Sequence, residues 1–354
     1  MHDLVIAGAG MAGLVAAAEA RRLGAKPLVL EKLERLGGSM RLSSGVIWRH
    51  RELARFRAEC PAGEERLQRL VFERLDEDLR WLESLGAPVL ARDTGNPLTT
   101  GVRYEPAGLT AALAAVAGEV KLRAPLSEHD GRAPLILATG GFAASRELLR
   151  EHVTPEAEHV FLRAAPGSTG DGLRAGVEMG AAIGDGLGEV YARAMPAPPA
   201  TVDETDLVRL SQLYARHARV TNGLGQSYET ATWSEIDVAQ WMLRQPRARA
   251  WFRVASESLG ERVRDRTVGE MVDAAERAGA PVRRHVQHVT VETVAGATTT
   301  LGGLRIDAHA RAAPGVFACG ADAGGIATGG YASGLAAALV LGRTAARAAL
   351  EVRP

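Results

Sequence analysis

The residues best suited to chemistry near the start of the chain are glycines. Gly8-Ala9-Gly10-Met11-Ala12-Gly13 follows a short apolar run, residues 4–7, and opens an alanine-rich stretch, residues 11–23, that ends at Gly24. Between a strand and a helix, this spacing makes a phosphate cradle. Gly8 permits a tight turn, Gly10 lets backbone approach a pyrophosphate, and Gly13 permits close helix packing. The helix N-terminus adds unpaired N–H groups and the positive end of its dipole. A second apolar run, residues 27–30, leads into Glu31 and Lys32. Glu31 stands 18 residues beyond Gly13, where an acid accepts hydrogen bonds from ribose hydroxyls. Strand, helix and strand make a βαβ unit with a dinucleotide at its turn. The fingerprint alone does not separate NAD from FAD.

The elements that must carry this site belong to a chain of 354 residues, about two domains at roughly 150 residues each. It is 46% hydrophobic and 24% charged, close to globular averages, which argues against a disordered or coiled-coil protein. Basic and acidic residues number 42 each, so no global field draws the chain to nucleic acid or an anionic membrane. The 40 glycines are the unusual feature, because glycine is useful mainly where backbone turns sharply or approaches a ligand. Residues 64–85 form an amphipathic helix with Leu67, Leu70, Val71, Leu75, Leu79, Leu82 and Leu85 on one face. Residues 135–138 read as a second buried strand, followed by the turn Thr139-Gly140-Gly141 and a helix at 146–152. From about 189 to 297 the character changes: three of the five tryptophans, a proline-rich run and helical stretches at 234–243 and 268–278 suggest an inserted domain. Short strands return at 304–306 and 316–319, and a helix over 334–350 closes the chain.

No secretory leader is legible before residue 4, and Cys60 and Cys319 are too few for a disulfide framework, so a cytoplasmic protein is expected. The charge-free stretch 323–342 reaches spanning length, but four glycines in its first half make it a buried loop and helix. The nine histidines show no HxxxH or HxH spacing, and no metal site is expected.

Several further motifs carry a family resemblance. Leu36-Gly37-Gly38-Ser39 and Leu42-Ser43-Ser44-Gly45-Val46-Ile47-Trp48 resemble the flavin-threading segment of the FAD-dependent oxidoreductase 2 family, which includes fumarate reductases and 3-ketosteroid dehydrogenases. Leu135 to Phe142, with Ala138, Thr139 and Gly140, resembles that family's second FAD-contacting strand and turn. Gly167 to Gly172 resembles its lead into a cap domain, and residues 301–307 with 314–322 its C-terminal FAD segment. The resemblance implies FAD as cofactor, held noncovalently, since no histidine lies between Gly37 and Trp48. It implies that Gly320 runs beside the ribityl chain, that Asp322 hydrogen-bonds a ribityl hydroxyl, and that the helix beginning at Ser333-Gly334-Leu335 aims its N-terminus at the flavin pyrimidine edge. The fold it implies is α/β: a Rossmann-like FAD-binding domain, residues 1–188 and 297–354, interrupted by an inserted α+β cap domain, residues 189–296.

The chain departs from fumarate reductases where their substrate is held. Their proton-donating arginine aligns with Glu235, their second arginine with Gly329, and their two histidines fall near Arg193 and at Thr299. Fumarate and succinate are therefore not the expected substrates. Tyr331, three residues before Gly334, stands where ketosteroid dehydrogenases carry a carbonyl-polarising tyrosine; the alternative is a core tyrosine under the cap. Tyr191 to Pro196 resembles a substrate-facing segment of tricarballylate dehydrogenase-like relatives, with Arg193 in place of a histidine. Only 17 residues, 118–134, stand where the family usually inserts a β-meander, so at most a strand at 120–122 is expected.

The activity expected is hydride transfer between flavin N5 and a small organic substrate, forming or reducing a C=C bond beside a carbonyl. Tyr331 is the first candidate for acid or base, followed by Glu235, Tyr191 and Arg193. A flavin oxidase and a noncatalytic FAD-binding protein are the alternatives. The expected partners are a small-molecule substrate and an electron donor or acceptor that the sequence does not identify, with neither nucleic acid nor membrane.

Overall fold

The computed structural model describes residues 2–129 and 131–351. Residues 4–7 are apolar without alternation, the pattern of a strand covered on both faces. They form Leu4–Ala7, fully buried and inside a six-stranded sheet. Pro27–Glu31 and Leu135–Leu137 flank it in parallel, with Val5 opposite both Leu28 and Leu135. Val316–Ala318 and Glu119–Leu122 extend the sheet in parallel, and the edge strand Arg311–Ala313 is antiparallel. Among the described residues Glu119–Leu122 is followed by no further strand before Leu135–Leu137, and the expected strand at 120–122 lies within it. A small antiparallel sheet joins Val46–His50, Thr99–Tyr104 and Val89–Ala91. The sequence analysis did not foresee it, because these short, half-exposed strands show no clean alternation. Leu304, expected in a strand, makes only isolated bridges to Ile183 and Ala323.

The alanine-rich helix Met11–Arg22 is stopped by Gly24 at φ +83° and lies against the last helix, Gly334–Glu351. Gly342 allows that approach, since a Cβ there would sit 2.6 Å from the Ala12 carbonyl oxygen. A buried ionic cluster ties both to the helix Glu65–Ser84. The Glu19 carboxylate accepts from Arg22 Nε at 2.8 Å, Arg343 Nε at 3.2 Å and Arg347 Nε at 2.6 Å, and Arg343 also pairs with Asp78. Burial alone would raise the Glu19 carboxyl, but the arginines outweigh it and hold it at about 2. Asp78 shows the opposite balance: burial wins over Arg343 and pushes it up to about 6.

By packing, the chain divides into two compact units. The first holds the described residues through Ser145, Ala165–Glu189, and those from Thr299 onward; the second holds Arg146–Ala164 and Val190–Thr298. The sequence division kept 146–164 with the first domain. They join the second because Phe161–Leu162 pairs in parallel with Gly296 and Ala297, and Thr154 Oγ1 donates to the Leu243 carbonyl at 2.6 Å. The second unit is built on a seven-stranded sheet. His288–Thr300 is flanked in it by Arg249–Ala255 and Val282–Arg284, and also pairs with Val190–Pro196. Its helices Ile236–Met242 and Val268–Arg277 fall where expected, the latter started by a Thr267/Glu270 capping box. Among the described residues, no helix is long and apolar enough to cross a membrane.

Candidate active site

The first unit assembles the glycine turns around one helix end. Gly8 adopts φ +102°, and a Cβ there would lie 2.2 Å from the Ala138 carbonyl oxygen. At Gly13 a Cβ would lie 1.8 Å from the Gly8 oxygen. Both positions are closed to any side chain. Gly10 differs: it is the N-cap of Met11–Arg22, no side chain caps the helix, and a Cβ would meet nothing within 4 Å. The space beside Gly10 at the start of the helix is thus left open, as an approaching phosphate requires. Gly37 at φ +98° donates its N–H to the Ala9 carbonyl at 2.8 Å, and a Cβ on Gly38 would lie 3.4 Å from Gly10 Cα, so the second glycine turn borders the same cradle.

Polar side chains hold these turns in place. Glu31 ends its strand with one carboxylate oxygen accepting from Ala9 N and the other from Leu33 N, each at 2.8 Å. Lys32 Nζ reaches Thr169 Oγ1 at 2.6 Å and Asp171 at 2.7 Å. Burial opposes ionisation of Asp171, yet Lys32 and Thr169 hold its carboxyl below the usual range. Ser39 Oγ accepts from Ala165 N at 3.0 Å. Ser43 Oγ donates to the Met40 carbonyl at 2.7 Å and accepts from Gly45 N at 3.0 Å, while the Ser44 carbonyl takes Arg103 Nε at 3.2 Å. These bonds fix the path of the 37–45 segment.

Asp322, expected to meet a ribityl hydroxyl, is 1% exposed and engaged with the 139–141 turn. It accepts from Thr139 N, from Thr139 Oγ1 at 3.1 Å and from Gly141 N at 3.0 Å. Burial pushes its carboxyl up, and these hydrogen bonds only partly offset it. Its evident task is to join that turn, with Ala138 and Gly140, to the segment at Gly320.

Tyr331 is half-buried on the loop before the last helix, its ring 5.6 Å from that of Trp48. Trp48 stands edge-on to His50 at 5.3 Å. His50 is 5% exposed; burial, reinforced by Arg55, lowers it to about 4, and its contact with the Tyr331 backbone offsets this only in part. A cavity of about 10 Å³ lies against His50, Trp48, Phe56, Ala332 and Ser333, room for one water. Gln68, buried and missed by sequence reasoning, pins this loop: its Nε2 donates to the carbonyls of Cys60 and Ile326 at 2.9 Å each. Arg57 Nη1 orients it by donating to Gln68 Oε1 at 2.8 Å. Ser333 Oγ accepts from Ala336 N at 3.2 Å, so it caps the last helix, with Gly334 exposed and Leu335 half-buried beyond it.

The remaining candidates belong to the second unit. Glu235 adopts φ +57°, and its carboxylate accepts from Ala215 N at 2.8 Å and from Arg216 N and Nε at 3.2 Å each. That occupies the group expected as a proton donor with holding a turn. Tyr191 and Arg193 do come together: Arg193 Nε donates to the Tyr191 hydroxyl at 2.8 Å. Among the described residues, no group of three or more histidine, cysteine or acidic side chains is placed to hold a metal ion.

A dinucleotide cradle at the carboxyl ends of a mostly parallel sheet, with a second unit inserted in the chain, defines a dinucleotide-binding protein. The chain belongs to the FAD binding domain family, whose model matches residues 3–130 and 104–336. This is the FAD-dependent oxidoreductase 2 family of the fumarate reductase and ketosteroid dehydrogenase type, and FAD is its cofactor. Similar solved structures include the open conformation of a flavocytochrome c3 fumarate reductase, at TM-score 0.70 and 19% identity over 99% of this chain and 78% of that one. The 3-ketosteroid-Δ4-(5α)-dehydrogenase from Rhodococcus jostii RHA1 gives TM-score 0.73 and 19% identity over 99% of this chain and 96% of that one. The 3-ketosteroid Δ1-dehydrogenase from Sterolibacterium denitrificans gives 0.73 and 14% over 99% and 100%. At such identities the likeness is one of fold. No curated protein matches the sequence.

Proposed function

We propose that this FAD-binding oxidoreductase is a dehydrogenase or reductase that acts on a carbon–carbon bond beside a carbonyl group. When bound, FAD supplies hydride exchange with the substrate carbon. The glycine cradle and the first turn of Met11–Arg22 would hold its pyrophosphate, and Glu31, whose oxygens also take the Ala9 and Leu33 N–H groups, its ribose. The observation that carries the reading is Tyr331, half-buried beside Trp48 on a loop locked by Gln68, immediately before the N-terminus of the last helix. Through its hydroxyl Tyr331 donates a hydrogen bond to the substrate carbonyl, which draws electron density onto the carbonyl oxygen. The helix N-terminus behind it favours negative charge gathering in front of it.

The test is anaerobic incubation of the FAD-loaded protein with saturated ketones and with enones. Bleaching of the flavin by one saturated ketone, or reoxidation of reduced flavin by one enone, is the expected result. Tyr331→Phe should bind FAD as the wild type does and slow that step by about 10²–10⁴-fold. Absence of flavin reduction by every compound and by artificial electron donors would establish FAD binding without catalysis and overturn the proposal.

A further inference from the structure

In the first unit a file of aromatic rings runs inward from a helix and ends at Tyr331. Trp48 and His50 are two residues apart in the strand Val46–His50, so their side chains stand on the same face of its sheet. The ring centre of His50 lies 5.6 Å from that of Phe56 and 5.3 Å from that of Trp48, which it meets edge-on, and Trp48 lies 5.6 Å from Tyr331. Edge-on pairing sets the positive rim of one ring against the negative face of the other, which fixes their mutual angle. Strand pairing holds the middle of the file. His50 lies opposite Thr99 and Trp48 opposite Gly101, where a Cβ would come within 2.6 Å of Trp48 Cα. Phe56, buried on the helix Leu53–Glu59, closes the far end.

The backbone on either side of Tyr331 is held independently of this file. Gln68 takes the Ile326 carbonyl, Glu189 Oε2 accepts from Gly329 N at 2.7 Å, and Gly330 packs so closely on Glu59 that a Cβ would lie 1.7 Å from its carbonyl oxygen. Ser333 caps the helix that follows. These contacts set the path of the loop, whereas the direction of the Tyr331 ring depends on what it leans against. His50 meets the loop twice: through Trp48, and at the one-water cavity that it borders together with Ala332 and Ser333, the two residues after Tyr331. Burial and Arg55 keep its imidazole neutral near neutral pH, so it brings packing and no charge to this wall. The phenol hydroxyl is the far end of its side chain and moves most when the ring tilts. A misplacement of 1 Å at a reacting group costs about a hundredfold in rate.

We propose that His50 is a positioning residue of the active site: it holds Trp48 against Tyr331 and so aims the Tyr331 hydroxyl at the substrate carbonyl. This rests on the reading of Tyr331 as the group that polarises that carbonyl and adds the residue that orients it. His50→Leu removes the ring and keeps apolar bulk; His50→Phe keeps a ring, and the adjoining cavity has room for the added carbon. In the FAD-loaded protein, His50→Leu should speed amide exchange at residues 331–333 by about three- to tenfold and leave the helix Met11–Arg22 unaffected. With the ketone or enone that exchanges hydride with the flavin, its kcat should fall by about ten- to a hundredfold at little change in KM. His50→Phe should restore both exchange and kcat to within about threefold of the wild type. Placed on Tyr331→Phe, His50→Leu should lower kcat by no more than about twofold further, because the hydroxyl it aims is already gone. A residue that only supports the fold would multiply its full loss onto that of Tyr331→Phe, and that result, or unchanged exchange and kcat in His50→Leu, would overturn the proposal. If His50→Leu fails to fold, Trp48→Leu interrupts the same file and is judged by the same two readouts. Should no compound react with the flavin, faster exchange at 331–333 would leave the hold of His50 on Tyr331 standing while the oxidoreductase reading falls; flavin reaction with unchanged exchange and kcat would do the reverse.

Discussion

Gly8 and Gly10 are two residues apart, and the structure makes opposite demands on them. Gly10 has φ −79°, which any residue adopts, and its missing Cβ faces open space. Alanine at position 10 should leave the protein as stable as before, or more so by about 0.4–1 kcal/mol through the unfolded chain. The same methyl intrudes where the pyrophosphate approaches. Weakening two charge-assisted bonds from Met11 and Ala12, each worth about 1.5–3 kcal/mol, costs on the order of 3 kcal/mol, about a hundredfold in FAD affinity. Alanine at position 8 meets φ +102° and the Ala138 carbonyl oxygen at 2.2 Å. Left-handed backbone costs about 1–2 kcal/mol and the overlap about 1–3 more, so Gly8→Ala should lose about 2–5 kcal/mol of stability before any cofactor is added. Urea unfolding of flavin-stripped protein, followed by FAD titration monitored through flavin fluorescence, separates the two. If Gly10→Ala binds FAD as tightly as the wild type, the pyrophosphate does not lie at this turn; if it unfolds as readily as Gly8→Ala, the account of the open space is wrong.

Other outcomes follow from the same geometry. Glu19→Gln should destabilise the protein by about 3–5 kcal/mol near neutral pH, because it strips charge from a cluster holding Arg343. The Glu19 contribution is complete above its ordinary pKa of 4.5 and is lost as pH falls from there toward about 2, so urea midpoints of the two proteins should converge over that range and not above it. Gln68→Leu removes the bond to Ile326 in the loop leading to Tyr331 together with the bond to Cys60; at saturating FAD, turnover should drop while FAD affinity holds, and a fall in both would show that Gln68 only supports the fold. Burial opposes ionisation of Tyr191, but Arg193, Arg163 and Arg264 outweigh it. One tyrosine should therefore titrate near pH 8 in ultraviolet difference spectra, and Tyr191→Phe should abolish that step, whereas its persistence would mean that the arginines act elsewhere.

Much of the first unit was legible because its chemistry is local. The spacing Gly8, Gly10, Gly13 and the acid at Glu31 sit within one βαβ unit, where turn geometry and helix packing leave glycine no substitute. The 17-residue gap at 118–134 was equally readable, since three strands do not fit in it. The family assignment and FAD followed from these ordered motifs and are confirmed by the family model. What lay beyond sequence were pairings across long separations. Phe161–Leu162 joins the second unit through a strand 135 residues later, and Gln68 acts on a carbonyl 258 residues away.

The sequence by itself determined that a dinucleotide cradle opens the chain and that the flavin-threading turns recur in family order, because such sites depend on glycine where backbone must approach backbone or phosphate. Only the tertiary structure decided what the polar candidates do. Glu235 and Asp322 spend their oxygens on neighbouring backbone N–H groups, whereas Arg163, unremarked in sequence, is buried and donates to Ala297 and Thr298. A carboxylate or guanidinium has the same charge wherever it stands in a chain; its task is set by which donors and acceptors folding brings within about 3 Å of it.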